Sequence, residues 1–270
     1  MDTSSPNNPH LFFISSISSV IGHTTPSQTT PEDLITTAHP APNGYANSKY
    51  IAEHLLSHAA QTRSVNASFA RVGQIAGAAR SPGLWNRNEW FPSLVRSSLQ
   101  VRALPEALGP TLGRVDWVPV DLLAEVFVEL ALLLDLDSVV RGPTGSVAVF
   151  HPLNLYPETW GVVAPVVAEM LSLVCGEEIE FVDLSTWVQR VRRNIESSEG
   201  LEGILERNPA AKLLGFFEGV VASLGTGPDN VLDTRRTAGI SEKLRDIQGV
   251  GSMPHWVQKW VGEWLRPLSG

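Results

Sequence analysis

The chain has 270 residues, of which 43% are hydrophobic and 18% are charged, and its formal net charge is −8 at neutral pH. This amount of apolar material suffices for one large domain or for a core with a smaller second lobe. The acidic balance argues against a nucleic-acid surface, because such surfaces draw their affinity from clustered lysine and arginine. A lone cysteine, Cys175, excludes an internal disulfide and offers no metal cluster.

Two apolar stretches stand out, and neither predicts a membrane or export segment. The longest, residues 122–136, is too short to span a bilayer and is interrupted by Glu125 and Glu129, so it predicts a buried helix. Residues 12–20 lack a basic leader and are rich in serine, unlike a signal peptide. We therefore expect a cytoplasmic protein without membrane contact.

The N-terminal part of the chain predicts one βαβ unit. Residues 11–18 form an apolar, serine-rich strand, residues 45 to about 60 form a helix, and residues 67–77 form a second strand. The loop at residues 24–44 is rich in proline, threonine and asparagine, and loops of this length often shape the mouth of a substrate site. A later strand at residues 146–150 is expected to return to the same sheet.

Helical patterns dominate the C-terminal part of the chain. Helices are predicted at residues 159–174, 185–195, 209–221 and 254–265, with one short strand at residues 179–182. Trp256, Trp260 and Trp264 recur one helical turn apart on the last helix, and such a stripe predicts core packing. This part of the chain is therefore expected to form a helical lobe.

Tyr45 and Lys49 open the first predicted helix and lie four residues apart, which places them on one face. An ammonium group beside a phenol favours loss of the phenolic proton, so Tyr45 is a candidate proton donor to a carbonyl oxygen. Serine hydroxyls at the end of the preceding strand can bind the same carbonyl. The pair alone is common on solvated helices, and its position within a βαβ unit is what favours the catalytic interpretation.

In this context the motif resembles that of the short-chain dehydrogenase/reductase superfamily, extended type. More narrowly, the chain resembles the thioester reductase domains that terminate fungal nonribosomal peptide synthetases, polyketide hybrids and adenylate-forming reductases. Similar segments follow in order at residues 115–124, 150–154 and 208–214, so that the resemblance covers nearly the whole chain. It implies an α/β fold, a truncated Rossmann-like parallel sheet of the extended short-chain type with a mainly helical C-terminal substrate lobe.

The resemblance also implies a division of the chain and a set of roles. Residues 1–157 would be the residual core, with residues 80–115 crossing to the substrate lobe, and residues 158–270 would be the helical substrate-binding lobe. Tyr45 would donate the proton, and Lys49 would tune Tyr45 and hold the nicotinamide ribose.

Ser16 would hydrogen-bond the carbonyl. The spacing from Ser16 to Val20 is one residue longer than the family pattern, so Ser15 or Ser18 could take this role instead. Arg71, Gly73 and Gln74 would line the nicotinamide side of the site. Asp121 is expected to cap its helix rather than act in chemistry.

NADPH is the cofactor that the resemblance implies, with no metal. In the family a glycine-rich turn at a helix N-terminus holds the pyrophosphate, and this turn would precede the first residue. Gly225-Thr226-Gly227 and Gly249-Val250-Gly251 have no third glycine and are interpreted as turns. We therefore expect NADPH binding by this chain alone to be weak.

Three functions stay open at this point. The first is a thioester reductase that acts on a carrier-bound or released polyketide or peptide carbonyl, with NADPH held by a separate nucleotide-binding half. The second is a redox-independent enzyme on the same scaffold, such as a cyclase, an aldol or Dieckmann-type enzyme or an isomerase, in which Ser16, Tyr45 and Lys49 polarise a carbonyl. The third is an inactive fragment or interaction module.

The expected partners are a small-molecule polyketide or peptide substrate or an acyl-carrier protein thioester, and no nucleic acid. The first strand would lack its outer neighbour in this chain, and an uncovered strand edge favours pairing or aggregation. A homodimer is therefore expected, or a covering element drawn from residues 1–10 or 24–44.

Overall fold

The computed structural model describes residues 10–23, 29–37, 43–63, 65–83, 85–132, 147–197, 203, 205, 207–225 and 231–265. The strands, in chain order, are β1 His10–Ser16, β2 Thr29–Thr30, β3 Asn66–Val72, β4 Ile75–Ala76, β5 Ala103–Pro105, β6 Arg114–Val115, β7 Val118–Pro119, β8 Ala148–Phe150, β9 Glu158–Thr159, β10 Glu180–Val182 and β11 Val231–Leu232. The α-helices are α1 Gly44–Arg63, α2 Trp90–Val101, α3 Gly109–Gly113, α4 Val120–Leu132, α5 Trp160–Cys175, α6 Leu184–Glu196, α7 Leu214–Ala222, α8 Arg235–Ile240, α9 Glu242–Arg245 and α10 Met253–Leu265. Short 3₁₀ helices lie at Ile17–Val20, Pro209–Leu213 and Asp246–Gly249.

The chain divides into two compact units. Unit 1 comprises residues 1–76, 116–156 and 228–249, and unit 2 comprises residues 77–115, 157–227 and 250–270. This division differs from a single boundary at residue 157, because residues 228–249 return to unit 1. They do so through β11, which pairs in parallel with β2, and through hydrogen bonds between the start of α8 and Glu32.

Unit 1 is built on a parallel sheet with the strand order β1–β3–β8. Phe13 of β1 faces Phe69 of β3, which in turn faces Val149 of β8. Every residue of β3 after Asn66 is buried, as expected for the central strand of a parallel sheet that is covered on both faces. The predicted βαβ unit and the return of residues 146–150 to the same sheet are therefore confirmed.

Helix α1 crosses between β1 and β3, and its start is set by a local cap. The side-chain oxygen of Asn43 accepts a hydrogen bond of 2.9 Å from the backbone N–H of Ala46, which is the geometry of a helix N-cap. The buried face of the helix consists of Ala46, Glu53, Ser57 and Ala60. This face is small and polar rather than broadly apolar, and one of its members carries a charge.

Both predicted strands of the βαβ unit end earlier than the sequence indicated. The first stops at Ser16, because the chain turns there into the 3₁₀ helix that contains Ser18. The second is interrupted after Val72, and β4 pairs with β7 rather than continuing along β1. At the break, a Cβ atom on Gly73 would lie only 2.6 Å from a terminal methyl group of Leu153, so a larger residue there would displace that leucine side chain.

Strand β1 has β3 on one side and no second partner among the described residues. Of the two segments expected to cover its other edge, residues 1–9 and parts of 24–44 lie outside the described residues. The described strand of that loop, β2, pairs with β11 instead. The homodimer stays a prediction.

Unit 2 contains the C-terminal helices and a core of aromatic rings. The predicted helix at residues 209–221 is divided into a 3₁₀ turn and α7, and the other predicted helices lie close to their expected bounds. Trp256, Trp260 and Trp264 are at most 5% exposed, which confirms the predicted core stripe. Trp85 packs edge-on against two of them, with ring centres 5.2 Å from Trp260 and 5.4 Å from Trp264.

Within the described ranges, no helix is long and apolar enough to cross a membrane. The apolar stretch at residues 122–136 forms α4 as far as Leu132, and its last four residues lie outside the described part of the chain. Helix α4 begins at Val120, so Asp121 lies in its first turn and not at the cap position that the sequence suggested.

Candidate active site

Tyr45 and Lys49 lie in the first turns of α1, beside the carboxyl end of β1. The Tyr45 side chain is exposed, and the Lys49 Nζ atom lies 5.7 Å from the centre of its ring. Lys49 Nζ also donates a hydrogen bond of 2.9 Å to the backbone carbonyl of Ile14, two residues before Ser16. This bond fixes the ammonium group at the point where the strand gives way to the serine turn, which we define as residues 15–19.

The three candidate serines have different environments. Ser15 is buried, and its hydroxyl donates to the Glu53 carboxylate, so it is not free to bind a carbonyl. Ser16 is half-buried, and its Oγ accepts hydrogen bonds from the Ser18 backbone N–H at 3.2 Å and from the Ser18 hydroxyl at 2.9 Å. A hydroxyl oxygen that accepts two bonds still carries its own proton, so this geometry suits Ser16 as a donor to a carbonyl oxygen.

Arg71 does not lie where the resemblance placed it. Its side chain is fully buried and forms an ion pair with Glu53, in which Nη2 lies 2.7 Å from Oε2 and Nε lies 3.1 Å from the same oxygen. The expected role of Arg71 on the nicotinamide side is therefore corrected, because a buried guanidinium paired with a carboxylate cannot line an open site.

Gly73 and Gln74 follow Arg71 in the bend between β3 and β4. The Gln74 side-chain amide donates 2.8 Å to the Ile75 carbonyl, and Gly73 packs under Leu153. Their assignment to the nicotinamide side stays a prediction.

The charged cluster behind the serine turn was not found from the sequence. His151 belongs to the same cluster as the Glu53–Arg71 ion pair. Its Nε2 lies 3.3 Å from Arg71 Nη1, and its Nδ1 lies 2.6 Å from the Asp233 carbonyl oxygen. Because a carbonyl only accepts, the Nδ1 atom of His151 carries the proton and Nε2 accepts from Arg71. Burial, followed by the positive charge of Arg71, lowers the pKa of His151 to about 3, so the ring is neutral near pH 7.

A second buried carboxylate, that of Glu32, is linked to the cluster through the backbone of His151. Its Oε1 accepts from the Thr237 backbone N–H at 2.9 Å and from the His151 backbone N–H at 3.2 Å, and its Oε2 accepts from the Arg236 N–H. Burial raises the pKa of Glu32, and the hydrogen bonds from Thr237, Arg236 and His151 partly offset that effect. The cluster therefore ties β8 and α8 to the loop that precedes α1.

Two signals in the sequence could have indicated this cluster. Glu53 lies seven residues after Ala46 and four before Ser57, on a stripe of small residues that must face the sheet. Arg71 is a charged residue within β3, and every other residue of that strand after Asn66 is also buried. A charge on each of two facing buried surfaces predicts an ion pair, because an unpaired buried charge is strongly disfavoured.

The donor groups near the end of β1 suit the nicotinamide end of a dinucleotide in part. The Lys49 ammonium has three N–H donors and uses one on the Ile14 carbonyl, which leaves donors for ribose hydroxyls. Tyr45 offers an exposed phenol beside it. Arg71 contributes nothing to such binding, because its guanidinium is buried and paired with Glu53.

Known proteins resemble this chain in sequence and in fold. Residues 4–127 match the model of the male sterility protein family, which is an NAD-binding one. A carboxylic acid reductase from Neurospora crassa is 29% identical over 95% of this chain and 23% of its own length. The non-reducing polyketide synthase SAT8 from Stachybotrys chartarum is 33% identical over 85% of this chain and 8% of its own length.

Among solved structures, the terminal R domain from the myxalamid PKS-NRPS biosynthetic pathway superposes with a TM-score of 0.65 at 16% identity. The superposed residues cover 94% of this chain and 57% of the R domain. The chain thus spans under a quarter of the length of these two curated relatives. Residues 4–127 therefore carry a male sterility domain, the chain is homologous to the fungal carboxylic acid reductase, and it has the fold of the terminal R domain.

Proposed function

We propose that the chain carries the carbonyl-reducing site of a thioester reductase of secondary metabolism. Its substrate would be a polyketide or peptide carbonyl, bound as a thioester to a carrier protein or already released, and its reductant would be NADPH. The observation that carries this proposal is the placement of Tyr45, Lys49 and Ser16 together at the carboxyl end of β1. Open α/β sheets bind their ligands at this edge.

The chain's own residues would divide the work as follows. The Ser16 hydroxyl donates a hydrogen bond to the substrate carbonyl oxygen and fixes its direction. The Tyr45 phenol gives its proton to the same oxygen as negative charge develops on it. NADPH, when bound, supplies the hydride.

Lys49 would have a double role. Its bond to the Ile14 carbonyl holds the ammonium between the strand and the helix, 5.7 Å from the centre of the Tyr45 ring. From there the positive charge stabilises Tyr45 as it loses its proton, and the remaining N–H donors bind the ribose of the cofactor. Gly73 and Gln74 would form part of the wall on the nicotinamide side.

The relatives support the substrate class, since the two that we describe are a carboxylic acid reductase and a polyketide synthase. In this proposal the carbonyl of the carrier-bound thioester would gain the hydride at carbon and the Tyr45 proton at oxygen, and when the carbon–sulfur bond breaks, the proton on oxygen would pass to the departing thiolate. The products are an aldehyde and the free carrier thiol. A second reduction of the aldehyde would give the alcohol.

The test is to incubate the chain with the N-acetylcysteamine thioester of octanoic acid and with deuterated NADPH at up to millimolar concentration, because this chain alone is expected to bind the dinucleotide weakly, and to analyse the products by mass spectrometry. We expect octanal or octanol that carries deuterium at the former carbonyl carbon, with matched oxidation of NADPH. Release of the N-acetylcysteamine thiol at the same rate without NADPH would contradict the proposal and favour a redox-independent enzyme. No product at any NADPH concentration would favour an interaction module.

A further inference from the structure

Glu53 lies one helical turn after Lys49 on α1, and its carboxylate contacts the serine turn. Its side chain is 1% exposed, and Oε1 accepts hydrogen bonds from the Ser15 hydroxyl at 2.5 Å and from the Ser19 hydroxyl at 2.7 Å. These two serines flank Ser16 and Ser18. One carboxylate oxygen therefore holds both ends of the segment that offers hydroxyls to the site.

The same contact reaches the backbone of Ser16. The Ser19 hydroxyl lies 2.8 Å from the Ser16 carbonyl oxygen as well as 2.7 Å from Glu53, so its single proton is shared between two acceptors. Ser16 in turn caps the 3₁₀ helix through its Oγ. A shift of Glu53 would therefore move both the backbone and the hydroxyl of Ser16.

Arg71 fixes Glu53 from the opposite side. Its Nε lies 3.2 Å from Oε1 and its Nη2 lies 2.7 Å from Oε2, so neither carboxylate oxygen can turn away without breaking a charged hydrogen bond. The guanidinium is itself held by the Asp33 carbonyl at 3.1 Å and by His151. The position of Glu53 is thus determined from β3 and β8.

Stability alone is a weak reason for such an arrangement. Two buried charges lose their hydration, and well-packed apolar side chains in their place often give an equally stable protein. What an apolar pair could not do is hold two serine hydroxyls in a fixed direction. The buried ion pair is therefore better suited to fixing the direction of the two serine hydroxyls than to stabilising the fold.

We propose that Glu53 is a positioning residue that sets the serine turn against α1. Helix α1 is attached to the end of β1 at two points, by Lys49 to the Ile14 carbonyl and by Glu53 to Ser15 and Ser19. Together these attachments fix the distance between the Tyr45 and Lys49 groups and the Ser16 hydroxyl. The inference rests on the proposed function, because that function gives Ser16, Tyr45 and Lys49 their roles.

The test removes the two hydroxyls and leaves the ion pair intact. A Glu53→Gln variant would leave Arg71 buried without its counter-charge and could fail to fold, so the variant to use is the double substitution Ser15→Ala/Ser19→Ala. The matched control is Ser57→Ala, which removes a buried hydroxyl one turn further along α1, where it accepts from Gln61. Two readouts are compared, amide hydrogen exchange and steady-state kinetics with NADPH and the octanoyl thioester.

Exchange is followed at the Ser18 amide, which donates to Ser16 Oγ, and at the Ile21 amide, which donates to the Ser18 carbonyl. In the double variant we expect both amides to exchange about tenfold faster than in the wild-type chain, with no change at the centre of α1. We also expect kcat to fall by about ten- to a hundredfold at unchanged KM, because misplaced groups affect the reaction more than binding. Ser57→Ala should leave exchange at the turn and kcat at wild-type values.

Unchanged exchange at Ser18 and Ile21 would overturn the proposal, because Glu53 would then not hold the turn. Faster exchange with the kcat of the control would overturn it too, since the turn would be held without effect on the reaction. A wild-type chain without turnover would count against the proposed function only. In that case the exchange result alone decides whether Glu53 positions the turn.

Discussion

The two units bury different chemistry. The buried ionisable residues in the described part of the chain all lie in unit 1: Glu32, Glu53, Arg71 and His151. The core of unit 2 contains indole and phenyl rings, and the buried polar residues in its described ranges are Ser93, Ser97, Ser98 and Asn208. The fold of unit 1 therefore depends on charge pairing and protonation state, whereas that of unit 2 depends on packing and neutral hydrogen bonds.

This difference follows the distribution of function. The serine turn, Tyr45 and Lys49 all belong to unit 1, and the buried charges lie directly behind them. Charged hydrogen bonds are directional, so they orient catalytic groups more narrowly than apolar contacts do.

The largest expected effect comes from breaking the ion pair of unit 1. Arg71→Met leaves the Glu53 carboxylate buried without a counter-charge, which should lower the free energy of unfolding by about 3–5 kcal/mol. Urea unfolding measures this loss. Adding Glu53→Gln removes the uncompensated charge and should restore part of it.

Two results would contradict this expectation. One is a loss for Arg71→Met as small as that of an exposed ion pair, under about 1 kcal/mol. The other is a further loss of unfolding free energy when Glu53→Gln is added to Arg71→Met, as expected for two independent substitutions.

A smaller effect is expected in unit 2, from Trp187→Phe. The Trp187 indole is fully buried, and its N–H donates to the Ser98 hydroxyl at 3.0 Å, while its ring packs 5.0 Å from that of Phe217. Losing the donor and part of the ring should cost about 1–3 kcal/mol. Because the groups involved are neutral, the loss measured by urea unfolding should be equal at pH 5.5 and pH 7.5, and a clear difference between the two would place a titrating group in this core.

The third effect depends on pH and belongs to unit 1. The pKa of His151 is about 3 in the folded chain, against about 6.5 when unfolded, so between these values the unfolded state binds one more proton. Stability should therefore fall as the pH decreases below about 6.5, by up to about 1.4 kcal/mol per pH unit from this residue. Glu32 acts with the opposite sign, because its pKa is raised on folding and its contribution is lost as the pH rises.

His151→Asn isolates the contribution of the histidine and keeps an N–H donor for the Asp233 carbonyl. Between pH 6.5 and pH 5 the wild-type chain should lose up to about 2 kcal/mol more stability than this variant. Urea unfolding at the two pH values gives the difference. Parallel pH profiles for the two proteins would mean that His151 is not held neutral in the fold.

Patterns of neighbouring residues in the sequence correctly predicted the structural features that depend on residues close together in the chain. The Tyr45 and Lys49 pair required only the helical period, and the tryptophan stripe of α10 required the same rule. The βαβ unit followed from the order of apolar strands and a helix. These features involve residues that are close in the chain or elements of strong periodicity.

The features that escaped prediction depend on residues far apart in the chain. Arg71 and His151 are 80 positions apart, and Glu32 meets Thr237 across 205. At the break after Val72, Gly73 packs against the side chain of Leu153, and no local pattern contains that contact. The cofactor role expected for Arg71 failed for the same reason, since the carboxylate that takes up its charge lies on a different element.

The most direct test of the proposed site is a double-mutant cycle at Tyr45 and Lys49, with turnover of the octanoyl thioester and NADPH as the readout. Tyr45→Phe removes the phenolic proton and keeps the ring, and Lys49→Met removes the charge and keeps most of the stem. Tyr156→Phe and Lys243→Met are the matched controls, because Tyr156 donates to the Arg245 carbonyl and Lys243 pairs with Glu125, and neither of these partners belongs to the serine turn.

Each single variant should lower turnover by about a hundred- to ten-thousandfold, without unfolding the chain. The double variant should lose little more than the worse of the two, because residues that act as one unit are not additive. Both controls should keep the turnover of the wild-type chain. Wild-type turnover in Tyr45→Phe and in Lys49→Met would contradict the account, and it would leave the pair as a feature of the fold without a role in the reaction.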